Sequence, residues 1–465
     1  MRPAGTAFLL CVPALAFAQS QRSPAPAPPP QSAKPAPLTL DQLQELARQN
    51  DPRTAMARAQ VDNAQGKRDE VFWAFFPNFE TRLGVAGPTP EARFNKDPGH
   101  PTSILDVTSG SRCWFCGDVG IGVGLTTTAV LPLYTFGKYS AGKTAAGHLV
   151  GASSALLQRA YDQATFDVTR AYWGYQTARG AHDTVVQVRA RLSEAKQRAQ
   201  RLLKEESEQI SKSDVMKLDY LSEEIEARTA EAEKNAKLAL TGIRLLIGKG
   251  PDEPFDIVQQ DLPQPGPQPD ENELVRRALE RRPEARAAAE QVAGRKALVD
   301  LERAKLYPDL ALVAGGTFNY TSSADHPDTP FAYNPYNQRS AYAALALQIT
   351  FDIPQKMARL RQAEAELRDA AAQQRGAEQL VRLEVRQALG DLEEARQRVL
   401  RYTNESNIGK QLAVQAGLAF DSGLGEAREL MEDMLLWARA DGEKFKALFD
   451  AQIAWAALQK ATGGL

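Results

Sequence analysis

Hydrophobic and polar positions follow two rhythms along the chain. Four stretches alternate every second residue, the spacing at which successive side chains of a β-strand point to opposite faces. In the first, Phe79, Thr81, Leu83 and Val85 share one face, with Glu80, Arg82, Gly84 and Ala86 on the other. The second sets Val119, Ile121, Val123 and Leu125 against Gly120, Gly122, Gly124 and Thr126, and the third sets Leu310, Leu312, Ala314 and Phe318 against Ala311, Gly315, Thr317 and Asn319. In the fourth, Leu345, Leu347, Ile349, Phe351 and Ile353 oppose Ala344, Ala346, Gln348, Thr350 and Asp352, which predicts a strand over 340–353. The other rhythm is helical. Residues 356–420 contain no proline and repeat apolar side chains at three- and four-residue steps through Leu380, Leu383, Leu392, Ala395 and Val399. At about 1.5 Å per residue this helix is a rod of roughly 100 Å, wider than any compact domain core. Residues 138–204 predict a second rod of the same kind.

The order helix, strand, strand, long helix, helix occurs twice. Sliding the chain on itself by about 231 residues brings Leu43 onto Leu274, Ala47 onto Ala278, Pro52 onto Pro283, Asp69 onto Asp300 and Pro77 onto Pro308 without a gap. The first copy predicts a helix of about 36 residues from near Asp41, bent near Asp51 and Pro52, and one of about 35 after a turn near Ser211. The second predicts about 37 residues ending at Tyr307 and about 39 from near Gly425. In each copy the two shorter helices, end to end, match the long one. The expected units are 38–250 and 271–465, joined by a proline-rich connector, 251–270, lying outside the bundle.

Export bears on how the strands are read. Arg2, the uncharged run 4–18, and the small residues Ala16 and Ala18 read as a secretory signal over 1–18. Leu10 before Cys11 argues against a lipid-anchored cysteine. Residues 19–37, rich in proline and alanine, read as a mobile leader. No later run is long and apolar enough for a transmembrane helix, so a membrane crossing would have to be made by strands. A chain of 465 residues that is 43% hydrophobic with a net charge of −2 is too apolar for disorder and gives no reason to expect nucleic acid. Four histidines and three cysteines leave little metal or redox chemistry. No convergent acid, base or nucleophile set stands out, so neither cofactor nor catalysis is expected.

Apolar-out, small-or-polar-in alternation fits both a half-buried sheet and a barrel around water. The long helices and the export signal favour the barrel. Each strand pair is joined by a polar loop, 88–118 or 321–339, and meets helices at its other end, so all helices lie on one side of the sheet. Four strands cannot enclose water, about eight being the usual minimum, and three chains would supply about 12. The fold class expected is an α+β membrane protein, a long antiparallel helical coiled-coil bundle with four transmembrane strands per chain.

Several motifs in order carry a family resemblance. They are Leu-Thr-Leu-Asp-Gln from Leu38, Phe76-Pro77 and Tyr307-Pro308 before the odd-numbered strands, Leu131-Pro132-Leu133-Tyr134 with Phe136-Gly137-Lys138 after the second, and Ala416-Gly417 through Gly423-Leu424. Over 38–464 the chain resembles the TolC-like outer membrane efflux proteins. The resemblance implies a homotrimer with a 12-stranded barrel in outer-membrane lipid and an α-helical tunnel through the periplasm. It also implies a passive exit duct for tripartite efflux or type I secretion, with a periplasmic adaptor and an inner-membrane pump as partners. The alternative is a periplasmic coiled-coil adaptor or structural protein, which would need one helical hairpin flanked by small β-domains. The pump class and the exported substrate are not legible, though scattered methionines and few histidines disfavour a dedicated copper or silver duct.

By the same resemblance the periplasmic mouth falls at the turns 204–214 and 420–429. Glu429 and Glu432, three apart on one helical face, match positions where the family tends to put lumen-facing carboxylates, and a plain solvated face is the other reading. Asp214 matches a position that helps latch the closed mouth, while Ser213 or Asp214 as a simple helix cap is the other reading. Phe420 and Gly425 depart from the best-known latch, which uses a tyrosine and an arginine. In the outer loop, Cys113 and Cys116 read as a disulfide in an exported chain. A zinc site would need two more ligands, with only His100 near, and a thioredoxin-like motif would need a βαβ setting.

Overall fold

A computed structural model of the protein describes residues 37–89, 93–94, 105–106, 120–205, 210–250, 253–263, 270–325 and 336–464. The expected signal and nearly all of the leader, Cys113 and Cys116, and the two ends of the connector lie outside the described residues.

Both copies open on a short capped helix. Thr39 caps α1 (Leu40–Asn50) through a reciprocal box with Gln42, whose side chain returns a bond to the Thr39 N–H at 3.0 Å. Asp51 is extended and buried, accepts the Arg53 N–H at 2.7 Å, and starts α2 (Pro52–Trp73). After the two-residue strands β2 (Arg93–Phe94) and β3 (Leu105–Asp106), the long strand β4 (Gly120–Tyr134) leads into α3 (Lys138–Lys204) and α4 (Lys212–Leu246). The second copy gives α5 (Glu271–Arg281) and α6 (Pro283–Ala304). The stretch of about 37 residues expected to end at Tyr307 is divided into these two helices at Arg282. Pro283 has no N–H to give, and Arg282 before it takes the extended conformation, φ −61° and ψ 131°, as Asp51 does before Pro52. The copies agree residue for residue: 11 and 22 helical residues in each, starting at Leu40 and Glu271, then Pro52 and Pro283.

Beside β4, the sheet holds β1 (Asn78–Thr89), β5 (Asp309–Thr321) and β6 (Arg339–Gln348), antiparallel throughout in the order β1-β4-β5-β6. Register puts Leu83 opposite Leu125, Leu125 opposite Phe318, and Leu312 between Leu131 and Leu345. All four apolar faces thus lie on one side of the sheet. The other side carries Glu80, Arg82, Thr126, Thr128, Thr317 and Asn319, with Glu80 and Arg82 ion-paired at 2.6 Å. The fourth strand is shorter than expected. Gln348 is paired with Asp309, the first residue of β5, so residues 349–352 run past the end of β5 and have no strand partner among the described residues.

Helix α7 (Ile353–Ser422), with a proline in its first turn, has 70 residues and is about 105 Å long. The last helix, α8 (Ala427–Ala461), matches α4 at 35 residues. Three large clusters of buried side chains tie the rods together, with a small fourth of Val299, Leu360 and Ala363 nearer the sheet. Leu43, Tyr172 and Ile243 centre one, Leu274, Val385 and Leu392 its counterpart in the second copy, and Leu192, Leu218 and Leu430 a third at the far end. The described part of the connector is not outside the bundle. Ile257 is buried in the first cluster, Leu38 bonds Asp256 and Val258 on either side of it, and the Val258 carbonyl accepts from Gln176 at 2.8 Å. The buried Ile257, between the two backbone groups that bond Leu38, draws this strap inward.

Candidate functional site

The two helix-to-helix turns share the far-end cluster. Its members include Val188, Leu192, Ala195 and Ala199 of α3, Val215 and Leu218 of α4, Phe420 of α7, and Leu430, Met431 and Met434 of α8. Sequence reasoning named both turns, and the structure brings them to one end of the bundle.

The first turn is closed by Ser211. Its hydroxyl accepts the Asp214 N–H at 3.2 Å and bonds the Asp214 carboxylate at 2.7 Å, and that carboxylate takes the Ser211 N–H at 3.1 Å. The cap is Ser211, not Ser213, which is exposed within the first turn of α4. Asp214 closes the box as its third residue. The Ser211 hydroxyl first, then its N–H and the Lys217 ammonium, hold the Asp214 carboxyl below its usual range against a smaller effect of burial.

The second turn ends α7 on Gly423, whose φ of 78° lies in the left-handed region. Leu424 and Gly425 both donate to the Ala419 carbonyl, at 2.9 and 3.0 Å. The chain folds back so closely that a Cβ at Gly425 would sit 2.8 Å from the Ala419 Cβ and 3.0 Å from the Phe420 nitrogen. An arginine has no room there. Phe420 is buried at 3% exposure, so a hydroxyl on its ring would also be buried. The two departures from the best-known latch are parts of this turn's own packing. Beside it, Asp421 reaches Arg198 of α3 at 3.6 Å.

Glu429 and Glu432 lie on the exposed side of α8, away from the buried Leu430, Met431 and Met434, and no ion pair joins either to a cation among the described residues. Asp433 is half-buried between the faces. The geometry gives a solvent-facing pair of carboxylates in the first two turns of α8, beside the second helix-to-helix turn.

One cluster was not anticipated. Midway along the bundle, Asp441 of α8 is 5% exposed and accepts from Thr184 of α3 at 2.5 Å, from Ser406 of α7 at 2.6 Å, and from Lys444 on its own helix. Burial pushes this carboxyl up, but Lys444, Ser406 and Thr184 together outweigh burial and hold it below its usual range. Three helices are pinned by one carboxylate. A cavity of about 370 Å³ adjoins it, lined by Arg179, Asp183, Gln260, Lys410 and Trp437 among others. An acid in the apolar stripe of α8, seven residues after Met434, was the available signal. Among the described residues no group of acids, histidines and cysteines could hold a metal, and no helix is long and apolar enough to cross a membrane.

A sheet with one apolar face lies at one end of two long helices, about 100 Å each, whose turns come together at the other end. Residues 274–464 match the family model for outer membrane efflux proteins, so the second copy carries the sequence signature that the motifs suggested. No curated protein matches the chain in sequence. In structure it is similar to the outer-membrane channel OprN, with a TM-score of 0.71, 21% identity, and 92% of this chain and 90% of that one covered. It is similar to the outer membrane protein VceC of Vibrio cholerae at TM-score 0.71 and 16% identity, covering 91% and 96%. The MtrE outer membrane channel of Neisseria gonorrhoeae gives 0.70 and 17%, covering 91% and 89%.

Proposed function

We propose that three copies of the chain close one barrel of about 12 strands in an outer membrane, continued by a helical tunnel into the periplasm. The assembly is a passive exit duct for tripartite efflux or type I secretion, fed by an inner-membrane pump through a periplasmic adaptor. The sheet carries this reading. Its apolar face leaves Leu83, Val85, Leu345 and Leu347 between 67% and 72% exposed, and β1 and β6 are edges without strand partners among the described residues. Such a face needs lipid or another sheet to cover it, and in lipid an open edge is intolerable unless the sheet closes. The opposite face, with its threonines, Asn319 and the Glu80–Arg82 pair, suits a wet lumen.

At the other end, threefold repetition of Glu429 and Glu432 would ring the mouth with negative charge, concentrating cations there. Asp214 and Ser213 border the same mouth from the first turn. Detergent-extracted protein from an outer-membrane fraction, weighed by light scattering, should have the mass of three chains. A monomer that stays in solution without detergent would contradict the proposal and favour the coiled-coil adaptor.

A further inference from the structure

The internal repeat fixes how one copy meets the next. Counterparts in β1 and β5 begin at Asn78 and Asp309. Asn78 pairs with Val130 and Asp309 with Gln348, so Gln348 is the counterpart of Val130. The same step carries Lys138, in the first turn of α3, onto Lys356, in the first turn of α7. Within the chain the copies join through β4 and β5, where Val130 faces Val313, Ala129 faces Ala314 and Thr127 faces Gly316. The counterparts of those β5 residues in β1 are Arg82, Leu83 and Val85.

We infer that β6 of one copy pairs antiparallel with β1 of the next in the register Gln348 to Arg82, Leu347 to Leu83 and Leu345 to Val85. This rests on the shared-barrel reading and goes beyond it by fixing which residues meet. Three observations converge on it. The register keeps apolar residues on the apolar side and joins four of the sheet's most exposed ones, Leu83, Val85, Leu345 and Leu347, in two cross-strand pairs. A slip by one residue would put Leu347 opposite Arg82 and lose this match. It also supplies residues 349–350 with the neighbours, Thr81 and Glu80, that β5 cannot give them, as β4 continues along β5 past the counterpart of Gln348 to Pro132. Third, Lys138 donates across the repeat boundary to the Tyr307 carbonyl at 3.0 Å, whereas Lys356 donates to the Thr350 carbonyl of its own copy at 2.7 Å. Once Thr350 joins a strand, Lys356 is placed to reach the counterpart of that carbonyl, on Phe76 of the next copy.

Disulfide trapping tests the register. In a full-length chain carrying Cys113→Ser and Cys116→Ser, Gly84→Cys is combined with Ala346→Cys, a lumen-side pair directly opposed in this register. A Cβ at Gly84 meets nothing within 4 Å in the chain. The two positions lie on opposite edges of the four-stranded sheet, so any bond joins different copies. Mild oxidation should give covalent species ending at three chains, while Gly84→Cys with Ala344→Cys, two residues out of register, should not. As a check needing one substitution per chain, co-expressed Gly84→Cys and Ala346→Cys chains should give covalent pairs that neither gives alone. If the offset pair is trapped instead, or neither pair is trapped in a detergent-stable trimer, the register is wrong while the shared barrel stands. If no pair is trapped and the protein is a detergent-free monomer, the barrel reading fails with it.

Discussion

Lys138 reaches from the first turn of α3 to Asp309 at the head of β5, an ion pair at 2.7 Å that joins the first copy of the repeat to the second where helices become strands. Its ammonium also donates to the Tyr307 carbonyl, in a setting where the Phe136 and Tyr307 rings stack 6.0 Å apart. Lys138→Met keeps the aliphatic stem and removes both polar contacts. It should lower stability by about 1 kcal/mol, since Asp309 is 43% exposed and a partly solvated pair is worth little more. The drop in thermal midpoint should shrink in high salt, which a loss of packing alone would not do.

The second turn excludes the latch it lacks. Gly425→Arg must force the Ala419 and Phe420 backbone aside and should cost about 1–3 kcal/mol. Phe420→Tyr buries a hydroxyl at a 3% exposed site and should cost a similar amount, about 1–3 kcal/mol, if it finds no partner. Denaturant unfolding of both variants checks this. A stable double variant would mean the turn can rearrange to form the tyrosine–arginine latch.

Ser211 and Ser213 separate the cap from its neighbour. Ser211→Ala removes the acceptor for the Asp214 N–H and should cost about 1 kcal/mol, while Ser213→Ala should change stability by less than about 0.5 kcal/mol. Losing the Ser211 hydroxyl should also let the Asp214 carboxyl rise toward its ordinary value, followed by NMR titration of that side chain.

Asp441 gives the bundle a pH dependence of known sign. Its carboxyl titrates lower in the folded chain than in the unfolded one, so the unfolded chain takes up the proton first as pH falls. The contribution is complete above the unfolded value of about 3.9 and is lost as pH drops through the lower folded value. Asp441→Ala strands Lys444, Ser406 and Thr184 and should cost about 3–5 kcal/mol at pH 7. The difference between wild type and Asp441→Asn should narrow between pH 5 and acid. A gap that widens toward acid would mean that the carboxylate is not held by these donors.

Legibility in the sequence followed the range of the interaction. The long helices and the strand faces were readable because periodicity is local: α3 begins and ends where the pattern placed it, at Lys138 and Lys204. The break at Arg282 is marked by Pro283, as the one at Asp51 is by Pro52. The end of β6 depends on where β5 begins, so its own alternation through Ile353 overstated the strand within one chain. Ser211 rather than Ser213 caps α4 because the turn geometry sets which hydroxyl faces the free N–H groups. Asp441 is visible in the sequence as an acid in the apolar stripe of α8, but its bond to Thr184, 257 residues away, is not. Glu429 and Glu432 were named through the family resemblance, and periodicity alone gave only that they share a face.

Conductance across a planar bilayer by detergent-purified protein tests the central claim, a passive channel with an acidic mouth, most directly. Wild type is compared with Glu429→Gln plus Glu432→Gln, each with and without a multivalent cation on the helical-tunnel side. The account predicts cation-selective channels that the multivalent cation blocks, with selectivity and block both weakened in the double variant. Folded, trimeric protein that inserts and conducts nothing would contradict the channel, and block unchanged by the two substitutions would contradict the acidic mouth.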